Sequence, residues 1–219
     1  ENVDVSFEWY FADAGMLSVA YYYREIENSG LLIDPESSYD LNLGDHKFYV
    51  QQRKVIGNAR RKGYEINYQQ SLEMLPGLLK HLGYGINYTK PLGGSTFVDQ
   101  EGDTHDNPGV AKHNGNAFIY YDDNKFSIRA AYNYRSAHVV QRQRYLGWGQ
   151  KHEYLPSYKD AYGQLDVNAT YKFSKNWKMN FAVRNVTDEH QETYAKYKEL
   201  TDRVSYLGRK YTLGVTYKF

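Results

Sequence analysis

Apolar and polar residues alternate with a period of two along most of this chain. The clearest example is the C-terminal end, where Tyr211, Leu213, Val215, Tyr217 and Phe219 alternate with polar or small residues. Because successive side chains of a β-strand point to opposite faces, this segment has one apolar-aromatic face and one polar face. A helix would need apolar residues three and four positions apart, and that spacing is missing. The pattern therefore predicts an all-β protein.

The same alternation recurs upstream and gives about nine strands in all. One of them, His46–Ser71, is counted as a single long strand that projects beyond the membrane. If Gly57–Gly63 were a turn instead, the strand count would be even. Clear examples among the other strands are Val3–Phe11, Leu17–Tyr23, Leu82–Tyr88, Phe126–Tyr134, Leu165–Phe173 and Trp177–Val183.

The connections between these strands alternate between short and long. Such alternation is typical of outer-membrane β-barrels, which have short periplasmic turns and longer extracellular loops. A soluble β-sandwich has no reason to keep it. The predicted short turns are Ala12–Gly15, Leu72–Gly77, Asp122–Lys125 and Ser174–Asn176. The predicted long polar loops are, in approximate bounds, Asn28–Asp45, Pro91–Gly109, Ser136–Ala161 and Asn185–Asp202.

The composition fits a barrel in lipid better than a soluble or a disordered protein. The chain has 24 Tyr and 16% aromatic residues, yet its mean hydropathy of −0.77 is that of a very polar protein. A soluble core should show apolar runs, and a disordered chain should be poor in aromatics. In a barrel only every second residue must be apolar, while the others line a wet lumen. No stretch of about 18 apolar residues exists, which excludes a transmembrane helix.

Charge and strand parity add two further expectations. The 27 basic and 26 acidic residues give a net charge of +1, so no global field favours nucleic acid. The absence of Cys is weak support for the cell envelope. Single-chain bacterial barrels have an even number of strands, and a lone odd set would leave open edges in lipid. We therefore expect that a missing part of the protein contributes an odd number of strands.

Five runs of residues resemble motifs of TonB-dependent receptors, and they occur in the family's order. The first is similar to the family's E-W-Y-F … L-S-V-A hairpin, and the second to its G-x-E strand. The third resembles N-Y-R-S at the outer end of a strand, and the fourth resembles N-L-T-D before the last long loop. The fifth resembles the C-terminal signal of outer-membrane barrels, which ends in Phe. The runs are Val5–Phe11 with Ser18–Ala20, Gly63–Ile66, Asn133–Ser136, Arg184–Asp188 and Thr212–Phe219.

The resemblance implies a fold, a location and a set of partners. The fold is a transmembrane antiparallel β-barrel of about 22 strands in the bacterial outer membrane, with an N-terminal plug. Residues 1–219 would form the C-terminal part of that one barrel domain, without the plug and the N-terminal strands. The TonB complex would energise it, and the barrel assembly machinery would read Gly214, Tyr217 and Phe219. The implied activity is uptake of a ferric siderophore, an oligosaccharide or a similar large solute.

An aromatic-rich stretch within the loop Ser136–Ala161 is the first candidate for ligand contact. Its rings could stack on a sugar, and its arginines could hold an anionic chelate. The alternative is an aromatic belt with solvated charges, because Tyr and Trp gather at membrane interfaces. The candidate ligand contacts are Arg142, Arg144, Tyr145, Trp148, His152 and Tyr154.

An acidic cluster in the preceding long loop is a candidate metal site. Hard oxygen ligands at alternating spacing can hold calcium, although a solvated polar loop explains the cluster equally well. His105 and His113 could also be metal ligands, but nothing in the sequence places them together. The acidic residues are Asp99, Glu101, Asp103 and Asp106.

A third group of polar residues is predicted to face the lumen. In the family such residues could touch substrate or plug, while keeping the inner wall polar is the simpler role. The sequence offers no nucleophile–base pair and no glycine-rich phosphate loop, so we expect neither catalysis nor a cofactor. The lumen-facing candidates are Glu65, Arg129, Asn133, Asp166, Asn168 and Arg184.

Three functions stay open at this point. Energised import is favoured by the motif series and by the long loops. A passive porin would share the alternating strands, and only a plug ahead of Glu1 would distinguish the two. An outer-membrane enzyme or adhesin could use the barrel as an anchor, but an enzyme should carry a Ser/His/Asp-type constellation on its wall or rim.

Overall fold

The computed structural model describes the chain in six segments. These are residues 1–12, 14–27, 31–55, 59–99, 101–148 and 151–219. Within them the backbone alone is described at 31–38, 47, 49, 51, 53–55, 143–148 and 151–154. Among the described residues, no helix has the length and the apolar character needed to span a membrane.

Strands make up most of the described chain, which confirms the all-β prediction. A single 3-10 helix, Gly77–His81, interrupts them. In chain order the strands are β1 (Asn2–Ala12), β2 (Gly15–Ile26), β3 (Leu31–Leu43), β4 (His46–Val55), β5 (Ala59–Ser71), β6 (Leu82–Gly94), β7 (Thr96–Val98), β8 (Thr104–Asp106), β9 (Asn114–Asp122), β10 (Phe126–Arg135), β11 (His138–Trp148), β12 (Lys151–Lys159), β13 (Tyr162–Lys172), β14 (Trp177–Arg184), β15 (Gln191–Ala195), β16 (Thr201–Ser205) and β17 (Lys210–Tyr217).

Nine of the described strands form one sheet, in the order β1-β2-β5-β6-β9-β10-β13-β14-β17. Every pairing in this sheet is antiparallel, and each strand lies beside the next sheet strand along the chain. This up-and-down order is that of outer-membrane barrels. The strand number expected from the sequence is thus confirmed for the described residues.

The long connections are β-hairpins, whereas the sequence predicted polar loops. Strand β3 pairs with β4, β7 with β8, β11 with β12 and β15 with β16. The predicted single strand His46–Ser71 is wrong, because β4 pairs with β3 and only β5 belongs to the nine-stranded sheet. Strand β3 does not show apolar–polar alternation in the sequence, because it contains Pro35 and several polar residues. The hydrogen-bonded ladder between β3 and β4 shifts register between Asp34 and Tyr39. Proline cannot donate to the ladder, which explains an irregularity there.

The predicted short turns lie in the connections at the other end of the sheet, but the one predicted at Leu72–Gly77 is longer, because it continues through the 3-10 helix to His81. The turn between β9 and β10 is held by one carboxylate. The backbone N–H groups of Lys125 and Phe126 each donate to Asp123 Oδ1 at 2.7 Å. These bonds lower the pKa of Asp123 to about 2. Such a side-chain cap replaces backbone bonds that the turn cannot make.

The register gives the sheet one apolar and one polar face. Directly paired residues of antiparallel strands share a face. On one face Phe7 pairs with Val19 and Leu213 with Phe181, and on the other Glu65 pairs with Thr89. Phe7 and Leu213 are 64% and 67% exposed. A continuous apolar face that stays exposed is the surface a barrel presents to lipid.

Most of the buried apolar side chains in the described segments lie outside this sheet. Val139 and Leu155 belong to β11 and β12, and Tyr194 and Ala195 belong to β15. All of these strands are parts of long connections. The hairpins therefore contain a packed core of their own and are not loose appendages of the sheet.

Candidate functional site

Three hairpins, β7–β8, β11–β12 and β15–β16, form a unit that we call the hairpin assembly. Strands β12 and β15 pair through Ser157 and Ala195, which joins two of the hairpins into the four-stranded sheet β11-β12-β15-β16. The third hairpin, β7–β8, is attached by side chains. Because this hairpin is not held by backbone pairing alone, polar side-chain contacts fix its position against the other two hairpins.

Lys196 lies at the centre of these contacts. Its ammonium donates to Asp99 Oδ2 at 2.7 Å, lies 2.6 Å from an oxygen of Asp103 and also donates to Glu101. The Lys196 side chain is only 6% exposed. Burial alone would lower the pKa of Lys196, but the bonds to the three carboxylates raise it well above its usual range.

The structure brings together three of the four residues of the predicted calcium site. Asp99, Glu101 and Asp103 meet within 4.8 Å of one another. The cation between them is the ammonium of Lys196. No sequence pattern predicted it, because Lys196 lies far along the chain. Asp106 was wrongly grouped with them, since it forms a separate ion pair with Lys112 at 3.1 Å. Calcium binding stays a prediction.

A chain of polar contacts runs from the buried carboxylate of Asp99 into the rest of the assembly. Asp99 Oδ2 lies 2.7 Å from Nε2 of His105, whose Nδ1 lies 2.6 Å from the hydroxyl of Tyr158. A carboxylate can only accept, so Nε2 carries a hydrogen and a neutral imidazole accepts from Tyr158 at Nδ1. The ring of Tyr158 stacks on Tyr194 at 5.4 Å. The contact connects β8 to β12 and β15.

The carboxylate of Asp99 stays ionised in this setting. Burial alone would raise the pKa of Asp99, but hydrogen bonds from Lys196, His105 and the backbone N–H of Asp103 hold it well below its usual range. His113, the other predicted metal ligand, contacts Tyr88 through Nδ1 at 2.6 Å. The two histidines thus contact different tyrosines.

Arg142 is the one predicted ligand residue whose side chain is described. Its Nη2 donates to Asn107 Oδ1 at 2.7 Å, and its guanidinium lies 5.5 Å from the ring centre of Phe97. Among the described residues, its buried Nη1 has no hydrogen-bond partner. A buried donor without a partner is costly, so an acceptor placed beside this nitrogen would be bound favourably. The side chains of the other five candidates lie outside the described residues, and their roles stay predictions: Arg144, Tyr145, Trp148, His152 and Tyr154.

A cleft of about 690 Å³ opens beside the assembly, between the ends of β5 and β6 and residues 106–114. We call it the rim cleft. Its charged lining residues are Arg60, Arg61, Lys90, Lys112 and Asp106, which leaves an excess of positive charge. Such a lining suits an anion. No sequence pattern predicted this grouping, because the residues come from segments that are far apart along the chain.

The six residues predicted to face the lumen all lie on the polar face of the sheet. Asn133 accepts a bond from Asn116 at 2.5 Å, and the Asp166 carboxylate accepts from Gln164 at 2.7 Å. The guanidinium of Arg129 lies 4.3 Å from the ring centre of Phe118. These side chains thus have polar or aromatic partners within the inner wall. Their contact with a ligand stays a prediction. The six residues are Glu65, Arg129, Asn133, Asp166, Asn168 and Arg184.

The predicted assembly signal lies at the end of β17. Gly214 pairs with Asn180, and the ring of Tyr217 lies 4.7 Å from that of Trp177. Phe219 is fully exposed. Its recognition by an assembly machinery stays a prediction.

Comparison with known proteins agrees with this architecture. Residues 1–186 match the family model "TonB dependent receptor-like, beta-barrel". No curated protein matches the chain. Solved structures similar to it include a mutant of the ferric enterobactin receptor PfeA of Pseudomonas aeruginosa (15% identity, TM-score 0.63), the siderophore receptor PiuA of Acinetobacter baumannii (18%, 0.60) and the FrpB iron transporter of Neisseria meningitidis (18%, 0.61). The alignments cover 100% of this chain but only 31%, 28% and 30% of those chains. At these identities the likeness establishes the fold.

Proposed function

Because this chain belongs to the TonB-dependent receptor-like β-barrel family of the bacterial outer membrane, we propose that the protein imports a large solute by TonB-dependent active transport. The favoured substrate class is an anionic ferric chelate. The proposal assigns binding and transport to the protein and no catalytic step. It also includes two partners, the TonB complex as energy source and the barrel assembly machinery as reader of the C-terminal strand.

The observation that carries the substrate class is the positive rim cleft. Arg61 lies on the polar face of the sheet, since it pairs with Arg24 and alternates with Gly63 and Glu65. Lys112 belongs to the connection between β8 and β9. Arg61 and Lys112 both line the cleft. Arg142 donates through Nη2 to Asn107, another lining residue, while its Nη1 has no hydrogen-bond partner among the described residues. Guanidinium groups bind carboxylate and catecholate oxygens well.

The similar proteins point the same way. They are a ferric enterobactin receptor, a siderophore receptor and an iron transporter. An oligosaccharide would be favoured instead by aromatic stacking surfaces in the cleft. Only Tyr22 and His113 carry rings among its described lining residues, which supports the anionic chelate over the sugar.

Uptake of a radiolabelled ferric chelate by cells that produce the intact protein tests the transport mechanism. We expect uptake to stop when a protonophore dissipates the proton gradient, because TonB-dependent import is energised from the inner membrane. Uptake that continues at an unchanged rate would identify a passive porin and contradict the proposal.

Binding of the same chelate to the purified protein tests the substrate class. We expect the double substitution Arg61→Ala and Lys112→Ala to weaken binding about tenfold, with Lys125→Ala as the matched control from a turn at the opposite end of the sheet. Unchanged binding in the double variant, together with energised uptake, would refute the assignment to the cleft while leaving the import proposal intact.

A further inference from the structure

The connection between β5 and β6 differs in composition from the other predicted turns at its end of the sheet. It spans residues 72–81, and half of its positions are Leu or Met. We call this segment the apolar turn. The other three predicted turns contain only polar or small residues, and they are Ala12–Gly15, Asp122–Lys125 and Ser174–Asn176.

Several apolar side chains of this turn are exposed. Leu78 is 73% exposed, Met74 58% and Leu79 49%. All of the 3-10 helix Gly77–His81 is described, and none of its residues is buried. Single exposed apolar residues are common on protein surfaces, but a group of them in one short connection marks a contact surface. The apolar turn therefore requires an apolar partner.

One side of the 3-10 helix is directed to the outer surface of the sheet. The rings of His81 and Tyr121 lie 5.6 Å apart between their centres. Tyr121 belongs to the apolar face, because it pairs with Leu82 and Ile128. Side chains three positions apart share one side of a 3-10 helix, so Leu78 lies on the side of His81. Leu78 thus continues the apolar face of the sheet.

The other side of the apolar turn is polar and borders the lumen. Ser71 lies on the polar face of the sheet, and its hydroxyl donates to a carboxylate oxygen of Glu73 at 3.2 Å. Glu73 and Lys80 line a depression of about 520 Å³ on that face. The turn is therefore amphipathic, with its charges toward the lumen. The other lining residues are Ser71, Tyr120, Asp122 and, at the boundary between the two sides, His81.

The apolar turn lies at the height of an aromatic belt on the outward face. In outer-membrane barrels such belts mark the interfaces with the headgroup layers, and the short turns are periplasmic. The contact of His81 with Tyr121, a belt residue, places the 3-10 helix at the periplasmic interface. The ring pairs of the belt are Phe11 with Tyr68, Tyr68 with Tyr84, Tyr121 with Phe126 and Trp177 with Tyr217.

We propose that the apolar turn inserts Leu78, with Leu79 beside it, into the phospholipid of the periplasmic leaflet. The occupant follows from continuity, because Leu78 extends the face of the sheet that contacts lipid in an outer-membrane barrel. An amphipathic helix in the interface likewise buries its apolar side at the acyl boundary and keeps its charges in water. The contact holds the periplasmic ends of β5 and β6 at a fixed depth. It depends on the outer-membrane location and is independent of the transported solute.

Collisions of a nitroxide spin label with oxygen and with a water-soluble nickel chelate test this insertion. Residues 1–219 contain no cysteine, so Leu78→Cys provides one labelling site there in the intact protein, and any cysteine elsewhere is replaced by serine. The protein is reconstituted in vesicles of phosphatidylethanolamine and phosphatidylglycerol. Oxygen concentrates in acyl chains and the chelate stays in water. We expect a ratio of oxygen to nickel collisions on the order of tenfold higher at Leu78 than at a site in water.

Two further label sites serve as matched controls. Asn124→Cys lies in the polar turn between β9 and β10 and should collide mainly with the nickel chelate. Ile119→Cys lies on the apolar face opposite Tyr84 and should collide mainly with oxygen. Heat-dependent migration of the folded barrel should be the same for all three variants, which shows that the labels do not disturb the fold.

The outcomes at Leu78 distinguish lipid from the two other environments. Collisions dominated by oxygen, as at Ile119, support insertion into the leaflet. Collisions dominated by the nickel chelate, as at Asn124, would place the turn in the periplasm and overturn the proposal. A label shielded from both reagents would mean that another part of the protein or a protein partner covers Leu78, which would overturn it as well.

Discussion

The nine-stranded sheet and the hairpin assembly are both built from antiparallel strands, but different contacts hold them. In the sheet the same kind of pair is repeated, apolar with apolar on one face and polar with polar on the other. In the assembly a few unique contacts join the hairpins. The bond from Lys196 to Asp99, for example, connects residues that are 97 positions apart.

The difference determines how each region responds to change. At a position in the sheet, an apolar residue can be replaced by another apolar residue, and a polar one by another polar one. The paired residues require only that the side chain keeps the polarity of its face. A substitution that changes the polarity of the side chain, or its volume at a crowded position, should therefore destabilise the sheet. In the assembly, loss of one ammonium affects three carboxylates at once.

The largest effect is expected from a charge on the apolar face. Leu213 is in the middle of β17, opposite Phe181, while its neighbour Thr212 lies on the polar face opposite Ala182. Leu213→Arg should destabilise the folded barrel by ~2–4 kcal/mol, the cost of arginine near the bilayer midplane. Unfolding in urea after insertion into lipid vesicles measures it. Thr212→Arg is the control and should lose much less, so equal losses would contradict the assignment of the faces.

A smaller effect is expected from a methyl group in the G-Y-E run of β5. A β-carbon at Gly63 would lie 2.7 Å from the backbone oxygen of Lys90 and 2.5 Å from the hydroxyl of Tyr22. The carbonyl cannot move without disturbing β6, so Gly63→Ala should cost about 1–3 kcal/mol. The same unfolding measurement applies.

Gly115 provides the matched control for Gly63. A β-carbon at Gly115 has its nearest neighbour at 3.7 Å, which is ordinary contact. Gly115→Ala should therefore be neutral or slightly stabilising, because it only restricts the unfolded chain. Equal destabilisation by both substitutions would mean that loss of flexibility, and not crowding, explains the glycine.

The sequence predicted the sheet well and the assembly poorly for the same reason. Alternation is a local signal, so strand number, short turns and faces could be predicted from neighbouring residues such as those of β17. The ion-pair partner of Asp99 could not be predicted, because Lys196 belongs to another hairpin and no periodic pattern relates the two residues. The polar composition of β3 and the other hairpin strands also prevented their prediction. In the structure, pairing with the neighbouring strand compensates for their weak intrinsic β-propensity.

Removal of the central ammonium should loosen the assembly without unfolding the sheet. Lys196→Gln leaves three carboxylates facing one another, so we expect residues 96–106 and 191–205 to be cleaved by protease on the order of tenfold faster. Lys198→Gln is the control. Lys198 pairs with Asp160 at 2.9 Å but is 68% exposed, and an exposed pair contributes little. Cleavage that is equally fast in the two variants would rule out a special role for Lys196.

The pH dependence of the same cleavage should be small over a wide range. The lowered pKa of Asp99 means that its contribution is present above its unfolded value of 3.8 and is lost as the pH falls below it. The raised pKa of Lys196 means that its contribution is present below its unfolded value of 10.5 and is lost only at higher pH. Protection of the assembly should therefore stay constant between about pH 5 and 9 and fall below about pH 4. A midpoint between about pH 6 and 7 would instead assign the controlling proton to a histidine and contradict the lysine-centred account.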